Sequence, residues 1–432
     1  MSQAAQPAPT APAAHQAQPV PVPDRTVATV GTPAPAPQRV EDVPQLLNRW
    51  QVAAVAVTLV FGVVSALLQF LGWQANGAAA DNTEQLVRGQ GIQSSLFRAN
   101  ALATNAFLAG ELESADQRAE YDATLDEVLA AITDAAEAQP ADRKALAALN
   151  SEVASYVAAI AQARDNNRQG FPIGVEYLIQ AGQTLKAESA AIIGELVEAN
   201  AQRAEDEMDG QHPLWLFWAG IGALAALWWL NRQVAKRFHR RLNVGLTAAA
   251  VGVALVTLLA VLLAEDQAGD NDDLVVGSYE SAADAASVRA SANDAKANES
   301  LRLIKRGAGE SYEESWTAAS DNVEQRATGA TRAAWQTYAA LHEEIVELDR
   351  SGRWEQAVEA ATGREDGSAT RALDAVDRAA QADVTEAAEQ TTDTLRSGRE
   401  FAIGLAGATL LVGMLAAVLC AWGINQRRKE YA

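Results

Sequence analysis

Residues 244–264, VGLTAAAVGVALVTLLAVLLA, contain no charged side chain. The run is long enough to cross the hydrocarbon core of a bilayer, which is about 30 Å thick. Three further uncharged apolar runs, at roughly 50–73, 214–231 and 401–423, are also long enough. Seven of the ten tryptophans lie in or beside the ends of the four runs, where an amphipathic ring favours the membrane interface: Trp50, Trp73, Trp215, Trp218, Trp228, Trp229 and Trp422. The sequence therefore predicts four transmembrane helices.

Short basic segments indicate the orientation of these helices. Residues 232–243, RQVAKRFHRRLN, carry five Lys and Arg residues, and Arg427, Arg428 and Lys429 follow the last run. Because cytoplasmic loops are enriched in Lys and Arg, both segments and both termini are predicted to be cytoplasmic. The predicted organisation is a disordered Pro/Ala-rich cytoplasmic leader (1–48), a first span (49–73), a first extracytoplasmic domain (74–213), a second span (214–231), a basic cytoplasmic loop (232–243), a third span (244–264), a second extracytoplasmic domain (265–399), a fourth span (400–423) and a cytoplasmic tail (424–432).

The leader is rich in Ala, Pro, Gln and Thr and has too few large apolar side chains to offset the entropy cost of ordering it. Thr26, Thr29 and Thr32 beside Arg25 are candidate phosphorylation sites, with a purely solubilising leader as the alternative. The first span also has an alternative, a signal peptide. Its apolar stretch is longer than the core of about 7–15 residues that signal peptides have, and it begins late in the chain.

The two long segments between the spans are acidic. Residues 74–213 contain 22 acidic and 9 basic side chains, and residues 265–399 contain 28 and 14. Nearly all of the acidic side chains are therefore predicted to face outward, and their negative charge repels nucleic acid and anionic lipid. The lone cysteine, Cys420, lies in the last span, so no disulfide framework is expected outside the membrane.

Apolar residues in these segments recur with helical spacing, as in the stripe Leu125, Val128, Leu129 and Ile132. Breakers at Gly110, at Gln139-Pro140 and at Gly170-Phe171-Pro172 divide the first segment into four helices. The first is expected to continue out of one span and the last to run into the next. Short connections make neighbouring helices antiparallel. The predicted fold class is all-α, with four transmembrane helices and two extracytoplasmic antiparallel four-helix bundles.

The second acidic segment repeats features of the first. Tyr156 and Gly170 recur as Tyr338 and Gly352, with the same spacing of fourteen residues. Each pair lies on a predicted third helix that ends in a turn. Because the order of span, bundle and span is also repeated, we interpret the chain as a tandem duplication of one unit.

Motifs that carry enzymatic chemistry are absent from the sequence. The four histidines lie far apart without the spacing of a metal-binding helix, and there is no phosphate-binding glycine loop or nucleophile elbow. Acidic runs at 205–207 and 270–273 are typical of solvated surfaces, and the second lacks the glycine and terminal glutamate of a calcium loop. The spans have no ionisable residue or break of the kind that transporters use. The sequence therefore predicts no catalytic residue, cofactor or metal site.

The pattern RANALATNAFLAGELESADQRAEYDATLDEVLAAI at 98–132, in a helical segment between two spans, resembles the four-helix-bundle sensor domains of bacterial chemoreceptors and sensor kinases. About nine residues follow the last span, so the linker and coiled coil of a chemoreceptor are absent from this sequence. The resemblance implies a sensor that lacks its own output domain.

The double unit, the proline-rich leader and the alanine-rich composition more narrowly resemble actinobacterial membrane proteins of the GlnX type. That resemblance implies two partners. One is an extracytoplasmic solute-binding protein that carries glutamate or aspartate, and the other is a cytoplasmic Ser/Thr kinase of the PknG type or its adaptor. The chain would then be a coupling subunit that relays the amino-acid signal.

A partner protein would meet the membrane-distal turns of the two bundles. The candidate partner-binding residues are Glu111, Glu113, Phe171, Pro172, Arg353 and Trp354. Aromatic side chains and Arg are good interface anchors. The alternative is that the apolar groups fold back and close the end of the bundle.

Two further hypotheses compete with the relay. In the first, the chain binds a small molecule directly between its helices, with Arg98 and Arg289 as candidate ligand-binding residues. An arginine on a helical bundle is more often ion-paired than ligand-binding. In the second, the chain is a membrane scaffold that carries no signal. Glycines in the spans allow close packing of these helices on one another, on membrane lipid or across a homodimer: Gly220, Gly222, Gly245, Gly252, Gly404, Gly407 and Gly413.

Overall fold

The computed structural model describes residues 43–109, 114–238, 242–397 and 399–428, and every regular element in these ranges is a helix. The predicted all-α fold is therefore confirmed. In chain order the α-helices are α1 (Val43–Ala109), α2 (Ala115–Ala138), α3 (Arg143–Arg168), α4 (Ile173–Thr184), α5 (Ala190–Met208), α6 (Pro213–Phe238), α7 (Val244–Val276), α8 (Ser278–Ile304), α9 (Glu310–Arg326), α10 (Gly329–Arg350), α11 (Trp354–Thr362), α12 (Ala369–Arg396) and α13 (Arg399–Arg428).

Four helices of the described chain are long and apolar enough to cross a membrane, and the apolar stretches lie in α1, α6, α7 and α13. They agree with the four runs predicted from the sequence, so this is a membrane protein. We call these stretches the spans. The first domain consists of residues 74–109 of α1 together with α2–α5, and the second domain consists of α8–α12.

The junctions between spans and domains differ from one another. Helix α1 runs for 67 residues through the first span and into the first domain without a break. The first domain was expected to continue equally into the second span, but α5 ends at Met208 and α6 begins at Pro213. Gly210 and Pro213 explain this difference, because proline lacks the N–H of a helix interior and favours the first turn of a new helix. The remaining junctions are interrupted at Gly277 and between Arg396 and Arg399.

Turn residues determine where the domain helices begin and end. Ser114 accepts a hydrogen bond from the backbone N–H of Gln117, whose side chain bonds back to Ser114 and completes a capping box before α2. Gly170 and Gly352 end α3 and α10 with φ of 70° and 80°, the left-handed conformation that glycine adopts most easily. The two glycines singled out by their common spacing therefore have the same local role.

Two helical features were not expected from the sequence. The last helix of the second domain is divided into α11 and α12 by residues 363–368, where Gly367 has φ of 86°. In the first domain, Leu185–Ser189 form a π-helical turn between α4 and α5. A π-turn inserts an extra residue into a helix, and such turns are frequent at functional sites.

Each domain has a hydrophobic core, and the two cores exchange residues. The first core contains Tyr156 together with Leu125, Val128 and Ile132 of the predicted stripe, whereas Leu129 of that stripe is exposed. However, Leu301 from α8 packs in the first core, and Leu108 from α1 packs in the second. The bundles are therefore not independent, because each contributes an apolar side chain to the interior of the other.

Small residues bring the spans together. A Cβ placed on Gly413 of α13 would lie 2.8 Å from the Cα of Gly62 of α1, so these backbones touch. Gly220 and Gly245 make similarly close contacts, with Thr257 and with the α13 backbone, and Gly252 lies near Val412. Gly222, Gly404 and Gly407 have open space beside them. The spans thus associate through four of the seven glycines predicted to allow packing.

Candidate functional site

Arg98 and Arg289, the candidate ligand-binding arginines, converge on a single carboxylate. The Arg289 guanidinium on α8 binds Asp377 of α12 through Nε (2.9 Å to Oδ1) and Nη2 (3.2 Å to Oδ2). Asn293 also donates to Asp377 Oδ1, at 2.9 Å. Arg98 on α1 approaches the same carboxylate with Nη1 at 3.7 Å from Oδ2. Asp377 thus links two helices of the second domain to the long helix of the first.

Three more charged residues complete this group. Arg98 Nη2 lies 2.8 Å from Glu120 Oε1 on α2 and 3.0 Å from Asp374 Oδ1 on α12. Arg364, in the loop between α11 and α12, pairs with Glu120. We call the six residues the interdomain cluster: Arg98, Glu120, Arg289, Arg364, Asp374 and Asp377. Its three cations and three anions balance.

Electrostatics hold the central groups of this cluster in their charged forms. Burial alone would raise the pKa of Asp377, but the Arg289 and Arg98 charges and the hydrogen bonds from Arg289 and Asn293 keep it below its ordinary value. Burial would likewise lower the pKa of Arg98, and the carboxylates of Asp377, Asp374 and Glu120 raise it instead. Protein carboxylates already occupy the arginines, so an anionic ligand would have to displace one of them.

Other polar contacts join the two domains along their length. Near the spans, Arg396 Nη2 of α12 lies 2.7 Å from Glu84 Oε1 of α1. Ser94 Oγ donates to the Ala286 carbonyl of α8 at 3.2 Å. Near the distal ends, Lys305 Nζ lies 2.7 Å from Glu176 Oε1 of α4, and Lys186 of the π-turn pairs with Asp294. The two domains are therefore held together at several levels and not at the interdomain cluster alone.

A second group of ionisable side chains lies inside the second domain. Glu299 of α8 is fully buried, and its Oε1 accepts from Lys296 Nζ at 2.5 Å. Its Oε2 lies 2.8 Å from His342 Nδ1 and accepts from the Tyr338 hydroxyl at 3.2 Å. Lys296 also donates to the Ala361 carbonyl at 2.6 Å. Glu299 therefore has hydrogen-bond partners for both of its oxygens.

The surroundings extend this group across the bundle. The His342 ring stacks on Trp316 with 3.7 Å between centroids, and its Nε2 lies 3.5 Å from Glu313 Oε2. Arg302 joins Glu313 (3.2 Å) to Asp349 (3.0 Å). We call the seven residues the buried cluster: Lys296, Glu299, Arg302, Glu313, Tyr338, His342 and Asp349. Its charges sum to zero when His342 is protonated and to one negative charge when it is neutral.

The pKa shifts in the buried cluster follow from this balance. Burial would raise the pKa of Glu299, but Lys296 and His342 lower it from 4.5 to about 2. Burial would lower the pKa of His342, but Glu299 and Glu313 raise it above its ordinary 6.5. Both neighbours thus stabilise the protonated imidazole in a site that would otherwise exclude charge.

These shifts predict a stability optimum for the second domain. The Glu299 contribution is complete above pH 4.5 and is lost as the pH falls toward about 2, a shift equivalent to roughly 3 kcal/mol. The His342 contribution is complete below pH 6.5 and is lost as the pH rises through its raised pKa. We expect the protection factors of the amide hydrogens in α8 and α10 of the full chain, which correct for the pH dependence of intrinsic exchange, to be highest between these limits. The variant His342→Gln should lose the alkaline part of this dependence, and an unchanged alkaline slope would refute the assignment.

The distal turns place the candidate partner-binding residues in different environments. Phe171 is 53% exposed at the turn before α4, and Pro172 beside it is exposed. Trp354 instead folds back onto the second domain, where its Nε1 donates to the Leu303 carbonyl at 2.9 Å and the Arg306 guanidinium lies 3.7 Å from its ring centre. Arg353 is exposed and donates to Ser351 Oγ. Phe171 is therefore available to a partner. Trp354 instead closes the end of the second bundle.

Several candidates fall in parts of the chain that the structure does not describe. Glu111 and Glu113 lie in the segment 110–113, and Thr26, Thr29 and Thr32 lie in the leader. Within the described ranges, no group of three or more His, Cys, Asp and Glu side chains is arranged to hold a metal ion. The sequence interpretation missed both Asp377 and the buried cluster. One signal in the sequence could have indicated the buried cluster: Lys296 and Glu299 lie three residues apart on an alanine-rich helix.

Comparison with known families supports a sensory role. Residues 75–209 match the family described as the actinobacterial sensor domain. No curated protein and no solved structure shows a significant match. The first domain is thus similar to a sensor domain of the actinobacterial type, which is the coarser form of the predicted resemblance. The match ends before the second domain, so the tandem duplication and the GlnX-type assignment stay predictions.

Proposed function

We propose that the chain is a transmembrane coupling subunit that relays an extracytoplasmic signal through its spans. The observation that carries this proposal is the continuity of α1, which leads from the first span to Arg98 in the interdomain cluster. A helix of this length transmits displacement along its axis, and its ion pairs couple it to the second domain. The sensor-family match of the first domain supports the same role.

The proposed orientation places both domains outside and both termini in the cytoplasm. It is supported by the basic residues of the segment 232–243 and of the tail, which contrast with the acidic domains. In this orientation the cytoplasmic partner must bind the leader, the basic loop or the tail. We propose that this partner is a Ser/Thr kinase of the PknG type or its adaptor, and that the chain itself has no enzymatic activity.

We further propose that glutamate or aspartate reaches the chain on a solute-binding protein. Two features support a protein partner over free amino acid. Arg98 and Arg289 are neutralised by Asp377, Asp374 and Glu120, so these two arginines present no open anion site. Phe171 is an exposed aromatic group at the end of the first domain farthest from the spans, where a partner can approach.

Calorimetry on the full chain in lipid nanodiscs tests the relay. We expect glutamate or aspartate alone to give no binding heat. The partner, captured from membranes in the presence of glutamate, is expected to bind the chain. The variant Phe171→Ala should weaken that binding about tenfold or more, a loss of about 1.4 kcal/mol. Leu129→Ala, an exposed apolar residue on α2 away from the turn, is the matched control and should bind normally. Binding of free amino acid to the chain alone would contradict the relay.

Direct sensing is the second candidate because Arg98 and Arg289 share one carboxylate. A dicarboxylate that displaced Asp377 or Asp374 would bind both arginines and separate the domains at the same point. If this mechanism operates, calorimetry should detect binding of the amino acid alone to the chain. The variant Arg289→Gln should abolish that binding heat.

A further inference from the structure

A cavity lies where all four spans meet the two domains. It encloses about 180 Å³. Its walls come from α1 near Trp73, from the link between α5 and α6, from α7 and from the first turns of α13. Trp73, Leu216, Leu263 and Phe401 line it and mark the outer ends of the four apolar runs. The cavity therefore lies at the depth of the lipid headgroups.

The two ends of the cavity differ in chemistry. Leu68, Leu216, Ala260, Leu263 and Leu405 form an apolar floor on the side of the spans. Polar and charged side chains line the side of the domains. A site with an apolar floor and a charged rim at this depth fits an amphiphile that lies partly in the bilayer.

Arg399 supplies an unusual cation on the rim. Its guanidinium lies over the Trp73 ring, 4.6 Å from the ring centre, and packs against Gly77, where a Cβ would lie 2.8 Å from Cζ. Its Nε is buried and has no hydrogen-bond partner. Buried donors in proteins are nearly always paired, and this N–H is open to an acceptor that enters the cavity.

The position of Arg399 on its helix strengthens this argument. It is the first residue of α13, where the backbone N–H groups already carry partial positive charge. A cation there is unfavourable unless an anion is nearby, and an anion at this point would meet both the guanidinium and the helix terminus. Glu400 in the same turn is exposed and does not line the cavity.

The rim also carries the opposite charge. Asp266 and Asp270 of α7 line the same cavity and are exposed at its mouth. By contrast, the amide groups beside them are already bonded to one another: Gln211 Nε2 donates to Asn76 Oδ1 at 2.9 Å, and Gln267 Nε2 donates to Asn271 Oδ1 at 3.2 Å. The charged groups on the rim are thus one cation and two carboxylates, and His212 lies beside them.

We propose that this cavity binds the zwitterionic headgroup of a phospholipid of the phosphatidylethanolamine type. The phosphate lies on Arg399, the ammonium group lies toward Asp266 and Asp270, and an acyl chain covers the apolar floor. The volume fits a headgroup and is below the range of about 300–1,000 Å³ that drug-sized ligands occupy. Because each junction contributes a wall, an occupied cavity ties the spans to one another. The inference rests on the placement of the four apolar helices in a bilayer and needs neither proposed protein partner.

Native mass spectrometry of the full chain, released from nanodiscs that contain equal amounts of phosphatidylethanolamine and phosphatidylglycerol, tests the site. We expect the wild type to retain phosphatidylethanolamine, and Arg399→Gln to retain it about tenfold less. Arg396→Gln is the matched control, because that arginine pairs with Glu84 outside the cavity. The double variant Asp266→Asn and Asp270→Asn should shift retention toward phosphatidylglycerol.

Two outcomes would overturn the proposal. One is equal retention of both lipids by the wild type, and the other is undiminished retention by a folded Arg399→Gln chain. A third measurement adds free phosphoethanolamine as a competitor of the lipid. We expect it to displace the lipid only at a far higher concentration. Competition at equal concentration would show that the floor contributes nothing and would contradict the lipid assignment. The readout involves no solute-binding protein or kinase, so a failed relay leaves this result unaffected.

Discussion

Replacing Asp377 by asparagine is expected to loosen both domains at once. The substitution keeps the side-chain shape but removes the anion shared by Arg289, which is buried, and Arg98. Removing one partner of a buried ion pair leaves an uncompensated charge and costs roughly 3–5 kcal/mol. Hydrogen exchange of the full chain should become about a hundredfold faster or more in α8 and α12, since each 1.36 kcal/mol is a factor of about ten. The segment of α1 around Arg98 should also exchange faster.

Asp374→Asn is the graded comparison for this prediction. Asp374 lies one turn away on α12 and binds Arg98 but not Arg289. The Asp374→Asn substitution should speed hydrogen exchange in α1 and leave exchange in α8 close to the wild-type rate. If Asp377→Asn altered exchange in α12 alone, the carboxylate would have a local role and would not join the domains.

Replacing Glu299 by glutamine is expected to destabilise the second domain more than the first, which α8 contacts through Leu301. The glutamine leaves Lys296 and His342 buried without their shared anion. A loss of roughly 3–5 kcal/mol follows from the same reasoning. The measurement is again hydrogen exchange of the full chain, which reports the two domains separately. We expect much faster exchange in α8, α9 and α10 and a smaller change in α2 and α3.

A second substitution distinguishes charge from packing. Lys296→Met combined with Glu299→Gln removes both charges of the pair, so that neither is left buried without the other. The double variant should therefore be more stable than Glu299→Gln alone. Glu314→Gln, an exposed carboxylate on α9, is the control for loss of negative charge. If Glu299→Gln and Glu314→Gln behaved alike, the buried cluster would contribute nothing to stability.

The spans and most domain helices could be predicted because their signals are local. An uncharged run of about 20 apolar residues has few alternatives to a membrane helix. Gln139-Pro140 and Gly170 predicted where α2 and α3 end. The backbone conformation of these residues is set locally and does not depend on tertiary contacts. The break between α5 and α6 was missed although Gly210 and Pro213 were in the sequence, because continuity from the spans was assumed for both ends of the domain.

The association of the two domains could not be predicted from periodicity. Alanine is compatible with buried and exposed positions alike, so an alanine-rich helix such as α8 does not reveal that it packs on two sides. Leu108 and Leu301 were assigned to their own bundles, yet each packs in the other core. Charged residues in helical sequences are normally interpreted as surface, and this is why Lys296, Glu299 and Asp377 were overlooked. Arg98 and Arg289 were chosen as candidate ligand-binding residues, and in the structure their partners are protein carboxylates.

The central claim is that an outside signal changes the arrangement of two domains that are joined by ion pairs. Spin labels on Ser155→Cys of α3 and Gln336→Cys of α10, both exposed sites, report this arrangement in a Cys420→Ser background. We expect the distance distribution measured by pulsed electron resonance in nanodiscs to shift by roughly 2 Å or more when the amino-acid-loaded partner binds, a typical size for such switches. Free amino acid should leave it unchanged. A distribution that stays the same with the loaded partner bound would contradict the claim.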